Sequence, residues 1–80
     1  MRIRILFFAQ LREVFGSSYL VDLPAGSTIE EVYDLLAGKP EWPYGRSAPL
    51  VFAVNEHFEA MGTTLQNNDD LAVMTPLSGG

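Results

Sequence analysis

The sequence contains no cysteine and a single histidine, which removes disulfides and leaves no set of Cys and His ligands for a structural zinc. A chain of 80 residues must then hold its core by packing alone. Lysine and arginine together number 5 against 10 acidic residues, for a net charge of −5. Phosphate binding needs clustered basic side chains, so no nucleic-acid partner is expected. Only one lysine, Lys39, is present. The first apolar run, Ile5 to Ala9, is too short for a signal h-region or a bilayer span, and no membrane partner is expected. The lack of thiols fits a reducing compartment. The expectation is a cytoplasmic protein that docks on proteins offering a basic face.

What is present is enough apolar material, 48 % of residues, to fold one domain at this net charge. Arg2 to Phe8 alternates in strand fashion, with Ile3, Ile5 and Phe7 on one face and Arg2, Arg4, Leu6 and Phe8 on the other. The first set reads as core; the second starts charged and ends apolar, which is unusual for a solvated surface. Leu11, Val14 and Phe15 then follow helical spacing over Ala9 to Phe15, with Gly16 as the stop. Ser18 to Leu23 alternates again and is ended by Pro24-Ala25-Gly26.

The clearest helix is Ser27 to Ala37, about three turns. Ser27 with Glu30, or Thr28 with Glu31, can form a capping box, and Ile29, Val32, Leu35 and Leu36 form its apolar stripe before Gly38 and Pro40. Lys39 to Pro49 is rich in proline and reads as a loop, with Trp42 and Tyr44 as packing anchors. Leu50 to Asn55 is a strand, Asn55-Glu56 a tight turn, and His57 to Ala60 the returning strand. Asn67 to Asp70 is a turn cluster before a last strand, Leu71 to Thr75, closed by Pro76.

The order β, short α, β, long α, β, β, β is that of an α+β roll of the ubiquitin-like β-grasp kind, a mixed sheet of about five strands with one main helix across it. In that arrangement the first and last strands are parallel neighbours at the sheet centre. Residues 1–76 make the domain and residues 77–80 an exposed tail. The tail, Leu77-Ser78-Gly79-Gly80, carries the informative feature. Two terminal glycines arise by chance in roughly 0.5 % of chains, and a frayed end is the plain alternative. A terminal carboxylate is ionised at neutral pH and is a poor electrophile, so it must be activated before another atom replaces its oxygen. Glycine lets a backbone pass a narrow channel, and Ser78 to Gly80 extends by at most ~11 Å, enough to enter a neighbour's pocket.

Three separated segments make this more specific: Ile5-Leu6-Phe7-Phe8-Ala9-Gln10-Leu11-Arg12-Glu13 followed by Gly16, then Ala53-Val54-Asn55, then Thr75-Pro76-Leu77-Ser78-Gly79-Gly80. Together, and through the whole chain, the sequence resembles the small, sulfur-carrying subunits of molybdopterin synthase. The resemblance implies that an adenylating enzyme similar to ubiquitin activators uses ATP on Gly80, and that a sulfur donor then makes the thiocarboxylate. It further implies that the large synthase subunit, which would supply the catalytic side chains, passes this sulfur to precursor Z to build the dithiolene. No cofactor is expected on this chain itself. Two departures from the family pattern stand out: one proline, Pro76, where two are usual, and Asn68-Asp69 where Gly-Asp is common.

Strand alternation then places Met74 and Pro76 beside Leu6 and Phe8 on the face opposite the helix, with Leu71, Val73 and Thr75 on the other. Such an apolar patch reads as a partner interface, with a closed-over second core as its rival. Arg12 reads equally as a partner contact or an ordinary surface arginine. His57 reads as a solvated histidine, Ser78 as a small tail residue without a base, and Glu30, Glu31 and Asp34 as a solvated helix face. The competing functions are a sulfur carrier for thiazole or tRNA thiolation, a ubiquitin-like protein modifier, and an interaction module with an inert tail.

Overall fold

A computed structural model describes residues 1–45 and 49–75. Strands β1 (Arg2–Phe7), β2 (Ser18–Asp22), β3 (Val51–Val54), β4 (His57–Glu59) and β5 (Asp70–Met74) alternate with helices α1 (Ala9–Phe15) and α2 (Ile29–Ala37). They form one five-stranded sheet in the order β2-β1-β5-β3-β4. The central pair, β1 with β5, is parallel, and the remaining pairs are antiparallel. This is the ubiquitin-like β-grasp arrangement that the order of elements implies.

The core forms where the alternation says it should. Ile3, Ile5 and Phe7 of β1 and Leu71 and Val73 of β5 are buried against Ile29, Val32 and Leu36 of α2, with Leu11, Phe52 and Leu65 completing the cluster. One position of the helical stripe differs from expectation: Leu35 is 45 % exposed, and Tyr33 is buried in its place. At about 100° per residue, 29, 32, 33 and 36 share one face while 35 lies some 120° away. Tyr33 packs edge-on to Phe52 and to Trp42, with ring centroids 6.1 and 5.9 Å apart. Trp42 also meets Phe15 and Tyr44, so both aromatics of the proline-rich loop do anchor it.

Of the two capping boxes open to α2, Thr28 with Glu31 forms, and Ser27 is instead buried with its hydroxyl donating to the Pro24 carbonyl at 2.8 Å. Helix residues therefore begin at Ile29, two later than expected. The first-turn amides of Ile29 and Glu30 donate to the carbonyls of Thr63 and Met61, which satisfies orphan donors and straps the 61–65 segment across the helix start. Strand ends are shorter by a residue or so than the alternation suggested. Phe8 leaves the strand to cap α1, and Thr75 lies beyond β5 and is exposed rather than facing the helix.

Candidate functional site

Side chains on a sheet alternate between faces, so the register decides which residues meet on the face away from α2. Ser18, Leu6, Ala72, Ala53 and Phe58 lie directly abreast across all the strands from β2 to β4. On one side of this row, Leu20 is abreast of Arg4 and Arg4 of Asp70. On the other, Met74 is abreast of Val51. The face is therefore apolar through its middle and charged toward the starts of β1 and β5.

Phe8 joins this face because of how the chain enters α1. Phe8 is extended, with φ −133° and ψ 160°, and Ala9 turns the chain at φ 50°, a left-handed angle that a residue with a Cβ adopts at some cost. Phe8 stays 45 % exposed. It borders a depression of about 460 Å³ lined also by Leu6, Ala53, Ala72, Asn55, Glu56 and Asp70. Two alanines abreast, Ala72 and Ala53, leave the floor low.

The charged rim is organised. Arg4 donates to both oxygens of Asp70, at 2.9 Å from Nε and 2.8 Å from Nη2. This hydrogen bonding, ahead of the charge of Arg4, holds the Asp70 carboxyl below its ordinary range, and Asp70 in turn raises Arg4. Arg2 and Asp22 repeat the pairing on β1 and β2 at 3.1 Å. Behind the rim, the Asn55 side chain donates to Asp69 at 2.8 Å and accepts from the Asp70 amide at 3.0 Å. Asp69 also accepts from the Gln66 amide at 2.7 Å. These bonds knit the Asn55-Glu56 turn to the 66–70 turn, where Asn68 takes the left-handed angle, φ 70°, that its place in the turn cluster asks for.

Of the interface residues expected from sequence, Leu6, Phe8 and Met74 lie together on this face, whereas Arg12 is exposed on α1 and is not among those lining the depression. Pro76, Leu77, Ser78, Gly79 and Gly80 lie outside the described residues. β5 nevertheless hands the chain on at the end of the sheet where Phe8 sits, since Phe7 is level with Val73 on the parallel neighbour. Sequence reasoning missed Phe58, 76 % exposed, and Leu20, 61 % exposed. The signal was present: Phe58 lies between His57 and Glu59 in a strand, and Leu20 interrupts an otherwise polar side of Ser18 to Leu23. His57 is exposed, as expected. Among the described residues no group of His, Asp or Glu is placed to hold a metal, and no helix is long and apolar enough to cross a membrane.

A family model described as the ThiS family matches residues 5–80. The chain is 38 % identical to the molybdopterin synthase sulfur carrier subunit of Arabidopsis thaliana over 98 % of this chain and 82 % of that protein. It is 30 % identical to the protein of the same designation from Haemophilus influenzae, over 98 % and 99 %. Its structure is similar to that of small archaeal modifier protein 1 from Haloferax volcanii, with a TM-score of 0.80, 25 % identity and coverage of 95 % of this chain and 98 % of that one. With its order of elements, its parallel central strands and its sequence in agreement, the chain belongs to the ThiS family and is a homologue of the molybdopterin synthase sulfur carrier subunits.

Proposed function

We propose that this protein is a cytoplasmic sulfur carrier for molybdenum-cofactor synthesis, with the sulfur held as a thiocarboxylate on Gly80. Homology supports the carrier role in general terms; the chemistry at Gly80 follows from the residues available. The protein has no thiol, so a carboxyl group is left as the place where sulfur can be attached as a reactive acyl derivative. Attack of the Gly80 carboxylate on the α-phosphate of ATP in an adenylating enzyme expels pyrophosphate and makes the acyl group electrophilic. A sulfur nucleophile then displaces AMP. The thiocarboxylate is carried to a large synthase subunit, whose side chains transfer the sulfur to the pyranopterin precursor.

The observation that carries this reading is the parallel pairing of β1 and β5. It sets the apolar residues Leu6 and Phe8 beside the strand that delivers the chain to the Gly-Gly segment. A partner that docks on the sheet face is then positioned to receive that segment, with residues 1–76 acting as a rigid body and 77–80 as the inserted tail. The relatives' designation as a subunit supports a synthase partner for that docking.

Intact-mass spectrometry of the protein produced alongside its activating enzyme tests the chemistry. One oxygen exchanged for sulfur, located at Gly80, is the expected result; an unmodified terminus in the presence of active enzyme and ATP rejects it.

Likeness to an archaeal modifier favours a second reading, conjugation to lysines of other proteins. Denaturing gels of cell extract probed for this chain separate the two, because a modifier shows a ladder of heavier species and a dedicated carrier a single band. Thiazole or tRNA thiolation would use the same activation, and rescue of a strain lacking the molybdopterin carrier distinguishes that client from the proposed one.

A further inference from the structure

We infer that the depression on the open sheet face receives a long cationic side chain of the large subunit, its methylene stem lying on Leu6, Ala72 and Ala53 and its charge on Glu56. This deepens the docking reading above and rests on it.

The floor and rim ask for different things. Leu6, Ala72 and Ala53 present carbon, and the small side chains of the two alanines leave about 460 Å³ between Phe8 and the Asn55-Glu56 turn. An apolar occupant would satisfy that floor. It would also leave Glu56 at the margin of the closed contact with nothing to pair it, and desolvating an unpaired carboxylate even in part is costly. The second acid at the rim does not need a partner, because both oxygens of Asp70 are already taken by Arg4. Glu56 is exposed and forms no ion pair among the described residues. No residue lining the depression is basic, and the whole chain carries a charge of −5.

An arginine or lysine matches this pattern in one piece, since both bury an apolar stem while keeping a charged head at the edge of the contact. Its ammonium or guanidinium would form a charge-assisted hydrogen bond with Glu56 as the interface closes. The turn sets the carboxylate at the rim: Asn55 and Glu56 sit at φ 49° and 73°, and Asn55 is held by Asp69 and Asp70.

Calorimetric titration of the full chain with its cognate large subunit tests the assignment, comparing wild type, Glu56→Gln and Glu30→Gln at low and raised ionic strength. Glutamine keeps the size and backbone of Glu56 and removes only its charge. Glu56→Gln is expected to bind roughly tenfold more weakly at low salt, the loss expected of one charge-assisted hydrogen bond. That gap should narrow as salt rises, while Glu30→Gln, on the helix across the sheet, binds as wild type does. Equal affinity of Glu56→Gln and wild type at both salts overturns the cationic occupant, and tighter binding by Glu56→Gln points to an apolar one and overturns it too. Phe8→Asp in the same titration separates the two levels of the argument. If Phe8→Asp binds like wild type, or wild type itself does not bind, the docking reading fails along with this one; if Phe8→Asp alone is lost, the face docks and only the role of Glu56 is rejected.

Discussion

Arg4 holds both carboxylate oxygens of Asp70 across the parallel pair at the centre of the sheet, at 2.9 and 2.8 Å. The bond joins residues near opposite ends of the sequence. It sits on the sheet face away from α2, so it also leaves the rim of the depression with a neutral pair and one free acid, Glu56.

Stability should depend on pH through this pair and its neighbour. Asp70 and Asp22 both have carboxyls held below the ordinary 3.8, chiefly by hydrogen bonds from Arg4 and Arg2. Each binds fewer protons in the folded state than in the unfolded one, so its contribution is complete above the unfolded value and is lost as pH falls through the lowered folded value. Both side chains are solvated, which keeps the slope shallow. Urea midpoints measured from about pH 6 down to 2 should fall less steeply in Asp22→Asn/Asp70→Asn than in wild type. Parallel curves would assign the acid loss to other carboxylates.

Phe8→Asp should leave the fold intact and remove docking on the large subunit. Phe8 is 45 % exposed and is the N-cap of α1, a position that favours aspartate. A central aromatic of an interface typically contributes about 2 kcal/mol or more. Surface plasmon resonance should therefore show affinity down by roughly thirtyfold or more, with an unchanged thermal midpoint. A drop in the midpoint with affinity retained would mean that Phe8 serves the fold.

Glu56→Gly should stabilise the protein and weaken docking together. Glu56 at φ 73° follows Asn55 at φ 49°, and a hairpin turn with both central residues left-handed prefers Asn-Gly. Relief of the Cβ strain is worth about 1 kcal/mol, partly offset by the greater freedom of glycine when unfolded. A raised urea midpoint with unchanged affinity would separate the strain from any binding role.

Leu36→Ala and Leu35→Ala should differ sharply although the residues are adjacent. Leu36 is 2 % exposed and Leu35 45 %. Removing the buried side chain should cost about 2–5 kcal/mol. Removing the exposed one should cost about 0.5 kcal/mol or less, as for surface changes generally. Equal losses in chemical denaturation would contradict the rotational phase of α2.

Much of this was readable from the chain. Alternation in Arg2 to Phe8 identified both the core face and the odd apolar end of the other, and a threonine-glutamate spacing was one of two that could start the main helix. The failures were those of rotation and register. Leu35 is as apolar as Leu36, and composition cannot tell which one the helix turns inward once Tyr33 can fill the site. Phe58 looks like a lone aromatic in a polar hairpin until Ala53 pairs with it. Arg12, open in the sequence between a partner contact and an ordinary surface arginine, stands exposed on α1 and does not line the depression, which leaves both readings standing.

By itself, the sequence determined which segments become strands and helices, with their ends to within a residue or two, and which groups exist to do chemistry, because these depend on side-chain period, caps, turn residues and the absence of thiols. Only the tertiary structure decided that Leu6, Ala72, Ala53 and Phe58 form one continuous row, that Arg4 neutralises Asp70, and that Glu56 is left facing an apolar floor. Those relationships come from pairing strands distant in the chain. Register between such strands is set by the packing of the whole sheet against α2, which no local stretch of residues encodes.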